Sequence, residues 1–351
     1  MKQVRAWLRM TATGGDYPAP TSEADYLAHL NLIDAALPTH GGQLEADGTW
    51  TTFSLWESDE FCQALPGIAR AAGHAYLPVL NPGHGTVGEK LMAVLDADQS
   101  VWEASTDQVV AMATETRFDA PWDGVIYDSI GFSRPTVPDY IERHQQFLTM
   151  MSNKVRAAGL SFGLASHGQD LDYFTADLDL GLVAEIADTF DYYFMRYRAQ
   201  PPSICPYWWI VRELEAALSA GMAPSQMYLG IPNFAAYYPD GTQDLAEMHT
   251  VTHAQAVQIV GENSASIQWI EDTDDGLYLQ WSAQWDNTTM WISDGDTVRP
   301  RLGLADYYGL PGMMLAMPGM GDESIWRTIA DWKRPASKPT DRFYQSPNWC
   351  A

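Results

Sequence analysis

The chain is short of positive charge. Of its 351 residues, 20 are Lys or Arg against 45 Asp or Glu, giving a formal net charge of −25, and the lysines are Lys2, Lys90, Lys154, Lys333 and Lys338. Duplex nucleic acid and anionic membrane surfaces are bound through clustered Lys and Arg, so no nucleic-acid partner is expected. The acidity points to a strongly solvated surface, suited to a saline setting. Cysteine is scarce too: Cys62, Cys205 and Cys350 have no metal-ligand spacing, and their odd number argues against a complete disulfide framework. Reduced structural thiols are the simpler reading. No stretch of about 18 apolar residues occurs, so no membrane insertion is expected. The N-terminus, Met1 to Leu8, lacks the apolar run and small-residue cleavage site of a classical signal peptide. The expected location is therefore the cytoplasm, or a virion or other assembly. No solenoid repeat is visible.

What the chain does have is enough apolar residues, 46%, to bury a large core, and an alternation of strand and helix patterns. Strands are predicted at Val4 to Met10, Leu30 to Leu37, His74 to Asn81, Val125 to Tyr127, Leu160 to Ala165, Phe190 to Tyr197, Gln226 to Phe234 and Gly312 to Met317. Helical patterns fall between them. One starts at a Ser58 cap and ends at Gly73; another runs from Pro138 to Ala158 and ends at Gly159. Strand followed by helix, repeated, implies parallel pairing with right-handed crossovers. Eight such strands imply an α/β fold, the (β/α)8 TIM barrel.

The rhythm changes over residues 235–300, where a helix at Ala254 to Ile259 is followed by short strands at Ser266 to Ile270, Leu277 to Trp281 and Thr289 to Ile292. This predicts a small α+β insertion between strand 7 and strand 8. The expected organisation is a barrel over 1–332 carrying that insertion, then an irregular tail over 333–351.

The stretch Trp122 to Phe132 holds the first candidate site residue. Alternation along the strand puts Gly124, Ile126, Asp128 and Ile130 on one face, and Asp123, Val125, Tyr127 and Ser129 on the other. An Asp among apolar strand residues is costly to bury unless it is hydrogen-bonded or working. Carboxylates at the C-terminal ends of barrel strands are usually functional, which makes Asp128 the candidate catalytic residue. Asp123 reads as a supporting, structural residue. Met195 and Tyr197, inward on strand six, are candidates to line a pocket, with Arg196 beside them. Glu57 reads as a helix-start carboxylate. His84 and His167 share the rim with Asp128, but they lack a short-range ligand pattern, so no metal and no cofactor are expected. Asp272 to Gly276 does not fit a calcium loop and reads as a solvated turn.

Several segments resemble a known family when taken in order: Asp123-Gly124-Val125 followed by Asp128; Ala187 to Tyr197 with its Met195-x-Tyr197 ending; Ser203 to Trp209; and Tyr228-Leu229-Gly230-Ile231-Pro232. Together they resemble glycoside hydrolase family 18, the chitinase-like TIM barrels, nearest the branch directed at spore cortex and peptidoglycan. The resemblance spans about Leu27 to Trp332. The family's strand-four motif, Asp-x-x-Asp-x-Asp-x-Glu, falls here on Asp123, Ile126, Asp128 and Ile130. The resemblance implies that Asp128 stands where the family positions an acetamido group whose own carbonyl attacks the anomeric carbon. It also implies that Ile130 occupies the place of the proton-donating Glu, and Ala316 that of the strand-eight Trp that floors the sugar. Tyr197, Met195 and Arg196 then belong to the substrate site.

The resemblance therefore implies a glycan-directed protein that binds or weakly hydrolyses an N-acetylated polysaccharide at the C-terminal mouth, with degraded or altered catalytic machinery. The other expectation is a non-catalytic structural or adhesin subunit, for example of a virion tail or surface assembly, whose partners are a surface polysaccharide or neighbouring assembly subunits.

Overall fold

The computed structural model describes residues 2–10, 19–39, 41–52, 59–82, 88–115, 121–128, 139–167, 179–193, 204–239, 248–273 and 276–334. Within them the chain builds β1 (Gln3–Leu8), β2 (Ala35–Pro38), and β3 (Gly42–Leu44), which forms a hairpin with β4 (Trp50–Thr51) around the Asp47-Gly48 turn. Then come β5 (Ala75–Tyr76), β6 (Val79–Asn81), β7 (Gly124–Asp128), β8 (Ser161–His167), β9 (Thr189–Tyr193) and β10 (Met227–Pro232). The insertion contributes β11 (Ala235–Tyr238), β12 (His249–Val251), β13 (Ile267–Thr273), β14 (Gly276–Trp285) and β15 (Thr288–Ile292), and β16 (Gly312–Ala316) returns to the main sheet.

The main sheet runs β4-β3-β6-β7-β8-β9-β10-β16-β1-β2-β5, parallel throughout except for the β3–β4 hairpin. β5, at one end of that order, and β6, near the other, are separated only by Leu77 and Pro78, so one stretch of chain joins them and the ring closes. The third barrel strand is thus two short pieces rather than one run from His74 to Asn81. Pro78 is the cause, since it has no N–H to give to a ladder; its carbonyl still accepts from the Ile126 N–H at 3.0 Å. Opposite it the second barrel strand breaks at Gly41, where a Cβ would sit 2.5 Å from the Pro78 Cβ, so only glycine lets the two strands approach. The second strand also starts later than expected: Leu30–Leu32 form a 3-10 turn, and the strand begins at Ala35.

Alternation along the strands divides the core into two shells. Val125, Tyr127, Phe162, Leu164, Phe190, Tyr192, Leu229 and Leu315 face outward and pack under the helices. Trp7, Leu37, Val79, Ile126, Ala165, Tyr193, Met314 and Ala316 fill the interior. The helices carry their own stops and starts. Asp59, rather than Ser58, caps the helix Glu60–Ala72 by accepting from the Cys62 N–H at 2.9 Å, and Gly73 ends it at φ 76°.

The insertion forms a five-stranded antiparallel sheet in the order β12-β11-β15-β14-β13. One face joins the barrel's interior cluster through Ala236, Tyr238, Tyr278 and Trp291. The other packs Ala235, Val251, Ala283, Met290 and Ile292 on the helix His253–Glu262. Local periodicity does not predict β11 and β12, because β11 is defined by a partner, β15, about 50 residues later. The following helix, Gly295–Tyr307, starts on an Asp294 cap that accepts from the Asp296 and Thr297 N–H groups. From it the buried Arg301 donates to the carbonyls of Cys205, Tyr278 and Leu279, tying helix and insertion together.

Candidate functional site

The C-terminal ends of β1, β7, β8, β9 and β16 converge on the interior above the buried shell. Asp128 is the last residue of β7 and is 4% exposed. Ile126, two residues before it on the same face, belongs to the interior cluster, whereas Val125 and Tyr127 belong to the outer one. Asp128 therefore points inward, as the strand parity predicts. It pairs in register with Ala165 on β8, and Asn81, one step beyond the Leu80–Tyr127 pair, stands on its other side. One level down, Gly163 faces Ile126, and a Cβ there would meet the Ile126 Cδ1 at 2.4 Å. Apolar neighbours strip water from the carboxylate, and this desolvation raises the Asp128 pKa well above the ordinary aspartate value. A carboxyl whose pKa is raised keeps its proton to higher pH, and while protonated it can donate a hydrogen bond to a ligand amide or hydroxyl as well as accept one.

Two aromatic rings lie on the same interior surface. Trp7 on β1 and Tyr193 on β9 stack with centroids 6.2 Å apart and 22° between planes. Two residues lower on those strands, Arg5 donates from Nη1 to Asp191 Oδ2 at 2.7 Å, and both side chains are buried. The Arg5 guanidinium also covers the Tyr228 ring at 4.3 Å. Burial lifts the Asp191 carboxyl to about 6, with Arg5 opposing the rise.

The other predicted site residues are placed as follows. Asp123 is exposed at the opposite, N-terminal end of β7, where its carboxylate accepts the Tyr76 N–H at 2.8 Å; it fastens β7 to β5 and does not approach Asp128. Ala316 faces inward between Trp7 and Pro232 and is fully covered. His167 ends β8 in register with Tyr193. Ile130, Met195, Arg196, Tyr197, Glu57 and His84 lie outside the described residues, as do Asp274 and Asp275. No group of three or more His, Cys, Asp or Glu among the described residues could hold a metal ion. A groove of about 700 Å³ lined by Trp102, Gln145 and Asn153 lies on the outer wall, away from the face that carries Asp128.

Strand pattern alone does not single out Arg5, Asp191, Asn81 or Arg9. Arg5 and Asp191 do leave a trace, since each is the lone charge in an apolar strand with inward parity.

No protein-family model and no curated protein sequence matches the chain. Solved structures do. A class V chitinase from Pseudomonas fluorescens Pf-5 superposes with a TM-score of 0.75 at 15% identity, covering 95% of this chain and 100% of that one. The chain has the chitinase-like barrel fold. The spore cortex-lytic enzyme SleL of Bacillus megaterium QM B1551 shares it with a TM-score of 0.71 at 16% identity, over 94% of this chain and 73% of that one. So does the Group IV chitinase of Ostrinia furnacalis, solved with allosamidin, with a TM-score of 0.71 at 16% identity over 94% and 98% of the two chains. In this chitinase-like barrel, Asp128 occupies the carboxyl end of the fourth strand.

Proposed function

We propose that the protein is glycan-directed and takes an N-acetylated polysaccharide at the C-terminal mouth of the barrel. The observation that carries this is the buried, inward Asp128 at the end of β7, its proton affinity raised by desolvation, in a barrel that also presents the stacked pair Trp7 and Tyr193. Sugars offer apolar ring faces to aromatic side chains and hydroxyl and amide groups to a carboxyl. The chitinases and cortex-lytic enzyme with this fold support the same reading by analogy.

Asp128 would hold the acetamido N–H or carbonyl of the bound sugar. Ile130, in the place of a proton donor, has no proton to give to a leaving glycosidic oxygen. Loss of a general acid lowers rates by about 10²–10⁴, so recognition of the glycan outweighs its hydrolysis. Tyr197, Met195 and Arg196 belong to the same proposed substrate surface, and Ala316, fully covered, would lie beneath it.

Calorimetric titration with chito-oligosaccharides tests the reading. Wild type should bind, and Asp128→Ala should lose most of that affinity while keeping its fold by circular dichroism. Absence of binding by wild type to chito-oligosaccharides and to N-acetylated glycans bearing carboxylates would overturn it and favour a structural subunit.

A further inference from the structure

A second charged side chain stands at the mouth, and its surroundings differ from those of Arg5 on the same strand. Arg9 follows β1 directly, four residues beyond Arg5 and two beyond Trp7, so it continues the inward parity. Its backbone is pinned on both sides: its N–H donates to Ser22 Oγ at 2.9 Å, and its carbonyl accepts the Ser22 N–H at 2.9 Å. Its guanidinium is partly buried and donates to two thioethers, Met317 Sδ at 2.8 Å and Met320 Sδ at 4.0 Å. Met317 is held at φ 60°, a left-handed backbone that is uncommon outside glycine, and its N–H donates to the Trp7 carbonyl at 3.0 Å. Met320 is fully buried in the interior cluster, which also contains Trp7 and Tyr193.

A thioether is a weak acceptor and carries no charge. Among the described residues no carboxylate pairs with Arg9, although Arg5 on the same strand pairs with Asp191, and Lys2, Lys90, Arg156 and Lys333 each pair with an acid. A partly desolvated guanidinium without a counter-charge is costly, and among the described residues only Met317 and Met320 take its side-chain donors. In a chain of net charge −25 the bulk field repels anions, so a fixed cation at the mouth acts locally and specifically.

We propose that Arg9 is a specificity-determining residue that receives a carboxylate borne by the bound glycan. This rests on the mouth being the glycan site and adds the class of sugar: one that carries an acid group, as a uronic acid or as a lactyl ether, beside an N-acetylated residue. A guanidinium takes a carboxylate in the bidentate manner, and a charged hydrogen bond of this kind is worth about 10- to 100-fold in affinity.

The test is a calorimetric comparison of three oligosaccharides of equal length on the full chain. One is neutral N-acetylglucosamine, one alternates it with glucuronic acid, and one alternates it with its 3-O-lactyl ether. Wild type should prefer at least one acidic sugar to the neutral one by about tenfold or more, and which one identifies the source of the carboxylate. Arg9→Met should abolish the preference, costing the acidic sugar about tenfold or more and the neutral sugar far less. Arg9→Lys should keep part of it, and melting temperatures of both variants report on folding. Equal affinity of wild type for neutral and acidic sugars overturns this inference and leaves the proposed function standing. So does an equal loss on all three in a folded Arg9→Met. Failure of wild type to bind any of the three overturns both.

Discussion

Arg5 reaches across the barrel interior from β1 to Asp191 on β9, strands that are not neighbours in the sheet, and closes an ion pair of 2.7 Å with both side chains buried. Taking one charge away leaves the other buried and uncompensated. Arg5→Met is therefore expected to destabilise the fold by about 3–5 kcal/mol, and the double variant Arg5→Met/Asp191→Leu to recover much of that loss. Urea unfolding of the wild type, both single variants and the double variant measures this directly. Additive losses in the double variant would show that the pair is not coupled.

The same pair predicts a pH dependence. The folded-state pKa of Asp191, about 6, lies above the unfolded value of about 3.9. The folded state therefore binds the proton more strongly, and stability from this group grows as pH falls through 6 and is lost as pH rises through it. In Asp191→Asn the contribution should vanish, seen as a flatter melting curve between pH 6 and about 4.

Asp128 carries the same sign. Its folded pKa is raised by burial, so the ionised form is penalised at neutral pH. Asp128→Asn stays uncharged at every pH and should melt higher than wild type at pH values above the raised pKa. The gap should close as the pH is lowered through the raised pKa. A variant that melts lower than wild type at pH 7 or above would mean that the native carboxylate is held by compensating hydrogen bonds.

Under the proposed function, Ile130→Glu places a carboxylic acid two residues beyond Asp128. Weak release of reducing sugar from chito-oligosaccharides is then expected, small in size because Ala316 would offer no aromatic face to the sugar. The gain should disappear when Asp128→Asn is added. Turnover by the wild type that survives Asp128→Asn would point to a different catalytic group.

Net charge predicts a response to salt. Self-repulsion of a −25 chain is screened as ionic strength rises, so the melting temperature should hold or climb from low to molar sodium chloride. A steep fall over that range would identify ion pairs such as Lys2–Asp306 and Lys154–Asp107 as the larger contribution.

Much of the fold is legible in the sequence because each barrel strand is a local apolar run closed by a glycine, proline or polar turn, and the helices between them carry local stops such as Gly73 and Gly159. The inward direction of Asp128 is equally local, being a matter of counting along one strand. What is not legible depends on residues far apart in the chain. Arg5 meets Asp191 across 186 positions, Arg9 meets Met317 across 308, and β11 pairs with β15, which itself pairs with β14. Pro78 is visible in the sequence, but its effect is not: a proline in a strand can end it, sit on an edge or, as here, divide it while the chain continues in the same sheet.

That division gives the ring a clasp. Around most of the barrel each strand is laced to the next along its length, as β7 is to β8 from Gly124 to Asp128. On either side of Pro78 the ladders are short: Ala35–Ala75 and Ala36–Tyr76 hold one half, and Gly42–Leu80, Gln43–Asn81, Val79–Ile126 and Leu80–Tyr127 hold the other. The barrel should breathe there first, with amide protons of Ala75 to Asn81 exchanging ahead of those in β7 and β8. Asn81 ends that divided segment and stands beside Asp128, so the wall of the mouth nearest the carboxyl is built from the shortest ladders of the hoop.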